Sequence, residues 1–253
     1  HKQTYKELTK KYKKTEKTIR KYFDKLAGAT GEISVCDLFI VLILDATFFG
    51  RGYGILLARS PKKVLYWHEI ESESVFEYEK CLYQLECMGY RFSGFVIDGR
   101  PGIRQLLAKK YPGIPIQICQ FHQIQIIKRY IPIKAKTDAA RELRKIAMNI
   151  TRTSMKILEA DLIGWHEKYN CFLMEKTHDG TGKWRYTHHR IRSAYRSLKT
   201  NLPFLFTFKD NFMPNTTNHC DGLFAHLKQR ILIHRGISKK RRKMMIDYFL
   251  ENY

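Results

Sequence analysis

The order of apolar segments between residues 39 and 118 restricts the fold more than any other feature of the sequence. Three segments with strand composition come first, at Phe39–Phe49, Tyr53–Arg59 and Val64–Ile70, and short turns that contain Gly or Pro separate them. Apolar runs of this length that are rich in β-branched and aromatic residues and bounded by turn residues are typical of strands. The three segments therefore predict an antiparallel meander.

The segments that follow alternate between helix and strand periodicity. A helix is predicted at Ser74–Met88, a fourth strand at Phe92–Ile97, a second helix at Gly102–Tyr111 and a fifth strand at Ile114–Ile118. Three strands, a helix, a strand, a helix and a strand is the order of an RNase H-like sheet, in which the first and fourth strands are neighbours. We therefore predict an α/β fold with an RNase H-like mixed five-stranded sheet and flanking helices.

Helix patterns dominate the chain beyond Pro132. They run from residue 135 to about residue 200, with a break at His178–Gly182, and continue in two closing helices at 216–233 and 238–252. We divide the chain into five segments: a helix-turn-helix fragment (1–26), a linker (27–34), the first part of the core (35–134), an all-helical insertion (135–205) and the closing helices of the core (206–253).

Residues 1–26 combine an apolar face at helical spacing with a strongly basic polar face. Thr15 and Thr18 resemble the turn and second-helix entry of a helix-turn-helix. A basic amphipathic helix pair that packs on the core fits the same pattern. The chain begins at His1 rather than Met, so we expect further residues to precede it. The side chains predicted to bind DNA here are Lys13, Lys14, Lys17 and Arg20.

The sequence holds 46 Lys and Arg against 24 Asp and Glu, which leaves a net charge of +22. A surplus of this size repels itself in the folded state and is typical of proteins that bind nucleic acid. No apolar run approaches the ~18 residues that a membrane-spanning helix needs, so a membrane partner is not favoured. The six cysteines form no CxxC pair, which indicates free thiols in a reducing compartment. Double-stranded DNA is the predicted partner.

Two aspartates interrupt segments that are otherwise apolar. Asp45 follows Val-Leu-Ile-Leu in the first strand, and Asp98 ends the fourth strand before a Gly turn. A buried charge is stable only when it is paired or bound to a metal ion. If the two strands are neighbours, the carboxylates face each other and repel unless a cation lies between them. The pair therefore predicts a divalent metal site, although each aspartate alone also fits a simple loop cap.

The third acid of such a site is predicted in the segment 215–228. Thr216 or Thr217 can cap a helix there, and Asp221 then lies in the first turn of that helix. The helix dipole favours an acid at this position whatever its function, so the residue fits a catalytic role or a purely structural one. With the two strand aspartates it would complete a site for Mg²⁺ or Mn²⁺.

Several short motifs occur in a fixed order along the chain. They are Leu-Asp-Ala-Thr-Phe-Phe at Asp45, Ile-Asp-Gly-Arg at Asp98, Cys-Gln-Phe-His at 119–122, Asn-Thr-Thr-Asn at 215–218 with Asp221-Gly222, and His-Arg-Gly-Ile-Ser at 234–238. Together they resemble the bacterial insertion-sequence transposases of the DDE class, akin to the Mutator-like superfamily, over about residues 35–240.

This resemblance implies a DNA transposase that binds the terminal inverted repeats of its element and catalyses metal-dependent strand cleavage and strand transfer. It implies that Asp45, Asp98 and Asp221 hold two Mg²⁺ or Mn²⁺ ions per site for phosphoryl transfer. It also implies the helical insertion between the second and third acids. Because two DNA ends must be joined to target DNA, we expect a homodimer on DNA, in the bacterial cytoplasm with the nucleoid.

Members of this group usually carry Glu where this chain has Asp221. The shorter side chain sets its carboxylate about 1 Å back, which is enough to disturb a catalytic geometry. A natural all-Asp site, a weakened enzyme and an altered sequence all remain open. Two other functions also remain open: an inactive or domesticated DNA-binding derivative of a transposase, and an RNase H-like nuclease without strand transfer.

Cys119, His122 and Asn218 are predicted to support the active site. We expect His122 to contact a phosphate or to orient Asp98. A zinc site at Cys119 and His122 is not favoured, because only two ligands are visible and the chain has no second C-x-x-H or C-x-x-C.

Further residues predicted to contact DNA are Arg100, Arg104, Lys228, Arg230, His234 and Arg235. In the insertion, basic side chains are interleaved with aromatic ones around Trp184 and Tyr186. That composition suits unpaired or distorted DNA ends. It equally suits an insertion core with a solvated basic face.

Overall fold

The structure is a computed structural model that describes residues 3–24, 39–178, 180–234 and 236–253. The predicted linker at 27–34 and the predicted DNA contact Arg235 lie outside the described residues. The chain divides into two compact units. The first comprises the N-terminal part through Ile40, Asp45–Arg91 and Asn218–Tyr253, and the second comprises Val41–Leu44 and Phe92–Thr217.

The described residues form seven strands and eleven α-helices. The strands are β1 (Phe39–Phe48), β2 (Gly54–Arg59), β3 (Val64–Ile70), β4 (Arg91–Ile97), β5 (Ile116–Ile118), β6 (Lys176–His178) and β7 (Trp184–Tyr186). The helices are α1 (Tyr5–Tyr12), α2 (Glu16–Asp24), α3 (Val75–Cys87), α4 (Pro101–Lys110), α5 (Gln120–Tyr130), α6 (Asp138–Met148), α7 (Met155–Met174), α8 (His189–Asn201), α9 (Phe208–Asn211), α10 (Asn218–Ile233) and α11 (Lys239–Glu251).

The first five strands form one mixed sheet in the order β3-β2-β1-β4-β5. Strands β2 and β3 are antiparallel, with Gly54 opposite Ile70, whereas β4 and β5 are parallel, with Phe95 opposite Ile116. The predicted α/β class, the mixed five-stranded sheet and the adjacency of the first and fourth strands are therefore confirmed.

In the first unit the sheet is covered by α3. Every residue of β2 is buried, and the buried face of α3 carries Tyr78, Leu82 and Leu85. The apolar residues Ile55–Ala58 of β2 explain this burial on both faces, since a continuous apolar run in a strand is stable when both faces of the sheet are covered. The side chain of Ser74 caps α3 by accepting a hydrogen bond from the Glu77 amide. The helix therefore starts where the sequence predicts it.

The second unit is built on β4, β5 and the helices of the insertion. Phe95 of β4 is fully buried, and its ring lies 5.3 Å from that of Phe92 and 5.1 Å from that of Tyr111. Helices α6, α7 and α8 pack on one another, and the indole nitrogen of the buried Trp165 donates a 2.9 Å hydrogen bond to the Ala139 carbonyl. Trp165 is therefore part of this core.

Buried amide side chains of β5 and α5 form hydrogen bonds with the end of the insertion. The side-chain nitrogens of Gln117 and Gln120 both donate to the Leu205 carbonyl, at 3.0 and 2.8 Å. The Gln123 oxygen accepts a 2.8 Å hydrogen bond from the Asn201 amide. Because a buried amide without a partner costs about 1–3 kcal/mol, these bonds fix the register of the packed elements.

The insertion departs from the prediction at its glycine-containing break. The break at His178–Gly182 opens a two-stranded antiparallel hairpin, β6–β7, so the expectation of an all-helical insertion is wrong here. The physical reason is local. Helix α7 ends at Met174, Gly182 between the two strands has a positive φ that suits glycine, and Thr177, Trp184 and Tyr186 favour extended backbone.

The N-terminal segment forms two short helices, as predicted. A capping box between Thr4 and Glu7 starts α1, and Lys13 ends it in the left-handed backbone region. Thr15 accepts a hydrogen bond from the Thr18 amide at the start of α2. None of the helices in the described residues is long and apolar enough to span a membrane.

We expect Phe95→Ala to lower the free energy of unfolding by about 3–5 kcal/mol, because it opens a cavity in a filled core. Phe212 is 98% exposed, so Phe212→Ala is the matched control and is expected to stay within about 0.5 kcal/mol of the parent chain. Urea unfolding measures both. An equal loss in the two variants would contradict the described core.

Candidate metal centre

Asp45 lies on β1 in an apolar environment. Its three predecessors Leu42, Ile43 and Leu44 are almost fully buried, and Asp45 itself is 8% exposed. One carboxylate oxygen, Oδ1, accepts a 2.8 Å hydrogen bond from the Ala46 amide. Because water is largely excluded from this position, a charge there is stable only with polar partners or a cation.

Asp221 lies in the first turn of α10. The buried residues Cys220, Leu223 and Phe224 fix the helix start, and the Arg59 guanidinium of β2 donates a 3.3 Å hydrogen bond to the His219 carbonyl. The helix start is thereby tied to the sheet. The helix dipole favours the negative charge of Asp221 at this end.

The tertiary fold brings Asp45 and Asp221 together, although they are far apart in sequence. A carboxylate oxygen of one lies within 4.8 Å of a carboxylate oxygen of the other. Two carboxylate oxygens at this spacing could contribute to a metal site. The sequence predicts both aspartates as metal ligands, and the structure brings this pair together.

The C-x-x-H motif has a structural explanation of its own. Cys119 is the N-cap of α5, and its sulfur accepts hydrogen bonds from the amides of His122 (3.5 Å) and Thr217 (3.2 Å) and from the Thr217 hydroxyl (3.4 Å). The Cys119 amide donates to the Ile97 carbonyl at 2.8 Å. The motif therefore anchors the start of α5 to the end of β4.

The same contacts orient the imidazole of His122. The Thr217 hydroxyl lies 3.1 Å from His122 Nδ1. The same hydroxyl lies 3.4 Å from the Cys119 sulfur, so Thr217 connects the cap of α5 to the His122 ring.

Cys119 is chemically distinct from an ordinary buried cysteine. Burial alone would raise the pKa of its thiol, but the hydrogen bonds from His122 and Thr217 outweigh burial and hold the pKa below its usual value. For comparison, burial raises the pKa of Cys81, which has no such donors, to about 12. The Cys119 sulfur therefore serves as a hydrogen-bond acceptor within this network.

Asp98 ends β4 as predicted, and its carboxylate faces Arg100. Oδ1 accepts a 3.1 Å hydrogen bond from the Arg100 amide, and Oδ2 lies 3.5 Å from Arg100 Nε. Among the described residues, the possible metal ligands Asp45 and Asp221 are grouped without Asp98. A metal-binding role for Asp98 therefore stays a prediction.

The other predicted supporting and DNA-binding residues occupy different environments. Asn218 is exposed at the first position of α10, and Lys13, Lys14, Lys17, Lys228 and Arg230 are also exposed. Arg20 forms an ion pair with Glu16, and its guanidinium carbon lies 5.0 Å from the centre of the Tyr5 ring. The exposed lysines are thus better placed than Arg20 to contact a phosphate.

Two predicted DNA contacts make internal interactions. The Arg104 guanidinium donates to the carbonyl of Thr200 and to the Asn201 side chain, both at 3.3 Å. His234 is buried, and its ring lies 4.8 Å from that of Tyr5. Burial lowers the pKa of His234, which favours the uncharged form of its ring. Roles in DNA binding stay predictions for both, and these contacts do not favour them.

In comparisons with known proteins, the chain matches no family model and no curated protein.

We expect Thr217→Val to lower the free energy of unfolding by about 1–3 kcal/mol, because it removes a buried hydroxyl that bonds the Cys119 sulfur and the His122 ring. Thr217→Ser keeps the hydroxyl and is the matched control, with expected stability near that of the parent chain. Urea unfolding measures all three proteins. Equal stability of the Val variant and the parent chain would contradict this role of the hydroxyl.

Proposed function

We propose that this protein is a metal-dependent DNA transposase of the DDE class, akin to the Mutator-like superfamily. It binds the terminal inverted repeats of its element as a homodimer, cleaves the DNA strands and joins the cut ends to target DNA. Its place is with the nucleoid in the bacterial cytoplasm. Its sheet belongs to the RNase H-like class, and α1 and α2 are the fragment of a DNA-binding helix-turn-helix.

The observation that carries the proposal is the approach of the Asp45 and Asp221 carboxylates within 4.8 Å. Two like charges repel at this distance, and a divalent cation relieves the repulsion. One acid comes from a buried strand and the other from the first turn of a helix, so rigid elements hold both. Precise positioning of this kind is what a phosphoryl-transfer site needs.

The donor set fits the proposed ions. Mg²⁺ binds through a few carboxylate oxygens and keeps water or substrate oxygens in its other positions. Carboxylate and water ligands also suit Mn²⁺, which makes it a second ion for binding measurements. When bound, two such ions supply Lewis-acid activation of a water or a 3′-hydroxyl and stabilisation of the leaving oxygen.

The charge of the chain suits a DNA substrate. A net charge of +22 gives a field that attracts the phosphate backbone, and the exposed lysines of the N-terminal helices can contact it directly. Each neutralised phosphate releases counterions, so DNA affinity should fall steeply with salt. The strand order β3-β2-β1-β4-β5, with the acid-bearing β1 at its centre and β4 beside it, supports the RNase H-like assignment.

We expect Asp45→Asn to reduce strand cleavage at least about a hundredfold, because the site loses the carboxylate that positions the ions. We expect the same of Asp98→Asn. The test uses oligonucleotides with the DNA that flanks the coding sequence of this chain, and gel analysis of products in Mg²⁺ or Mn²⁺. DNA affinity in the two variants should stay near that of the parent.

Asp138→Asn is the control for this test, since Asp138 is exposed and pairs with Arg141 on α6. Full cleavage by Asp45→Asn would refute the assignment. A second assay supplies pre-cleaved ends and scores their joining to target DNA. Cleavage without joining would identify a nuclease that does not transpose.

A second candidate function is that of a DNA-binding derivative that no longer cleaves. The observation that favours it is the ion pair between Asp98 and Arg100. In this pair the Asp98 carboxylate interacts with a guanidinium group instead of a metal ion. The aspartate at position 221 supports the same alternative, since the family that the chain resembles usually has Glu there. Under this alternative, DNA binding is unchanged when metal ions are removed.

We expect Asp221→Glu to lower the cleavage rate. The Asp221 carboxylate already reaches the distance that a shared metal needs, and one more methylene displaces it by about 1 Å, which can cost about a hundredfold in rate. Cleavage time courses of the two proteins at saturating Mn²⁺ measure the effect. A faster Glu variant would indicate that the natural chain is a weakened enzyme.

A further inference from the structure

The hairpin β6–β7 in the insertion contributes little to any core. Its strands have three residues each, and all of these residues are exposed except Tyr186, which is half-buried. A two-stranded hairpin of this length is at best marginally stable by itself. Its side chains therefore need an explanation other than folding.

One face of the hairpin is aromatic and basic. Lys176 lies opposite Tyr186 and His178 opposite Trp184, so the strand alternation places these four side chains on the same face. The Lys176 ammonium lies 4.0 Å from the centre of the Trp184 ring, and Trp184 remains 50% exposed. The indole thus presents a large apolar surface beside a positive charge.

The base of the hairpin is held rigidly. Glu175 accepts a 3.0 Å hydrogen bond from the Thr187 amide, and its carboxylate lies 2.8 Å from His188 Nε2. The guanidinium carbon of Arg192 lies 3.6 Å from the centre of the Tyr186 ring, and Arg192 also donates to the Leu173 carbonyl. These contacts hold the end of the hairpin that carries Tyr186. Trp184 lies two residues closer to the turn, where Lys176 packs against its ring.

The composition of the hairpin selects an anionic ligand with flat apolar surfaces. Residues 176–192 contain a single acid, Asp179, and the basic residues Lys176, Lys183, Arg185, Arg190 and Arg192. Residues 176–190 contain no aliphatic side chain larger than Thr, so the hairpin has little to bury in a bilayer. Nucleobases joined by phosphates match both requirements, because bases stack on aromatic rings and phosphates attract the cations.

We propose that the β6–β7 hairpin binds unpaired DNA, with Trp184 stacked on an exposed base and Lys176 near a flanking phosphate. An intact duplex keeps its bases stacked on one another and offers no face to the indole. The ligand is therefore a single-stranded overhang or an opened end. The inference rests on the proposed function only in taking DNA as the substrate of the chain.

The test measures DNA affinity of the full chain in EDTA, so that no cleavage occurs. Fluorescence anisotropy compares a blunt labelled duplex with the same duplex that carries a five-nucleotide 3′ overhang. We expect the parent chain to bind the overhang DNA about tenfold more tightly, which is typical of one stacked base. Trp184→Ala should abolish this preference and leave the affinity for the blunt duplex unchanged.

Two further variants sharpen the result. Trp184→Phe keeps a ring and should retain part of the preference. Phe212→Ala removes another exposed aromatic residue, 98% exposed and outside the hairpin, and should retain all of the preference.

Intrinsic tryptophan fluorescence reports binding at Trp184 directly. Of the other two tryptophans, Trp165 is buried and Trp67 donates a hydrogen bond to Asp247. Quenching by the overhang DNA should disappear in Trp184→Phe.

Three outcomes would overturn the inference: no preference for the overhang in the parent chain, an equal loss of blunt and overhang affinity in Trp184→Ala, or a fluorescence change with anionic phosphatidylglycerol vesicles that exceeds the change with DNA. Failure of the proposed function has a different signature. In one such case, the blunt duplex from the flanking DNA binds no more tightly than a duplex of scrambled sequence. In the other, metal ions produce no cleavage, although the chain still prefers the overhang DNA.

Discussion

The burial of a carboxylate on β1 is the constraint on which the candidate site depends. Asp45 is 8% exposed among side chains that exclude water. A charge in such a place costs several kcal/mol unless polar groups or a cation compensate it. The fold brings Asp221 towards the same position with a second negative charge, on a helix that the buried Cys220, Leu223 and Phe224 hold in place. A bound divalent ion converts this repulsion into attraction, so metal binding and stability of the site should be linked.

The environment of His122 shows how a short motif can serve structure and site together. The Cys119 sulfur caps α5, and the Thr217 hydroxyl connects that sulfur to His122 Nδ1. The structural contacts of Cys119 and the orientation of His122 are thus a single hydrogen-bonded arrangement, which accounts for the fixed spacing of two residues between them.

The sequence predicted the sheet well, because local signals define its strands. The strand Val64–Ile70 was predicted with its observed bounds, and the turn residues on either side explain why. The hairpin β6–β7 was not predicted, since three-residue strands are too short for a period to be recognised. Asp45 and Asp221 stood out from composition and helix position. Thr217 did not, because a threonine before a helix reads as a cap, and only its distance to His122 gives it another role.

The sequence by itself determined the α/β class, the order of the strands along the chain and the strong positive charge, because periodicity, turn chemistry and composition are local properties. Only the tertiary structure decided which chemical groups meet. It brought the carboxylates of Asp45 and Asp221 within 4.8 Å, directed Asp98 to Arg100, and placed His234 in a buried position against Tyr5. These choices depend on strand order and helix packing between residues that are distant in sequence, and no local pattern encodes the distance between two such side chains.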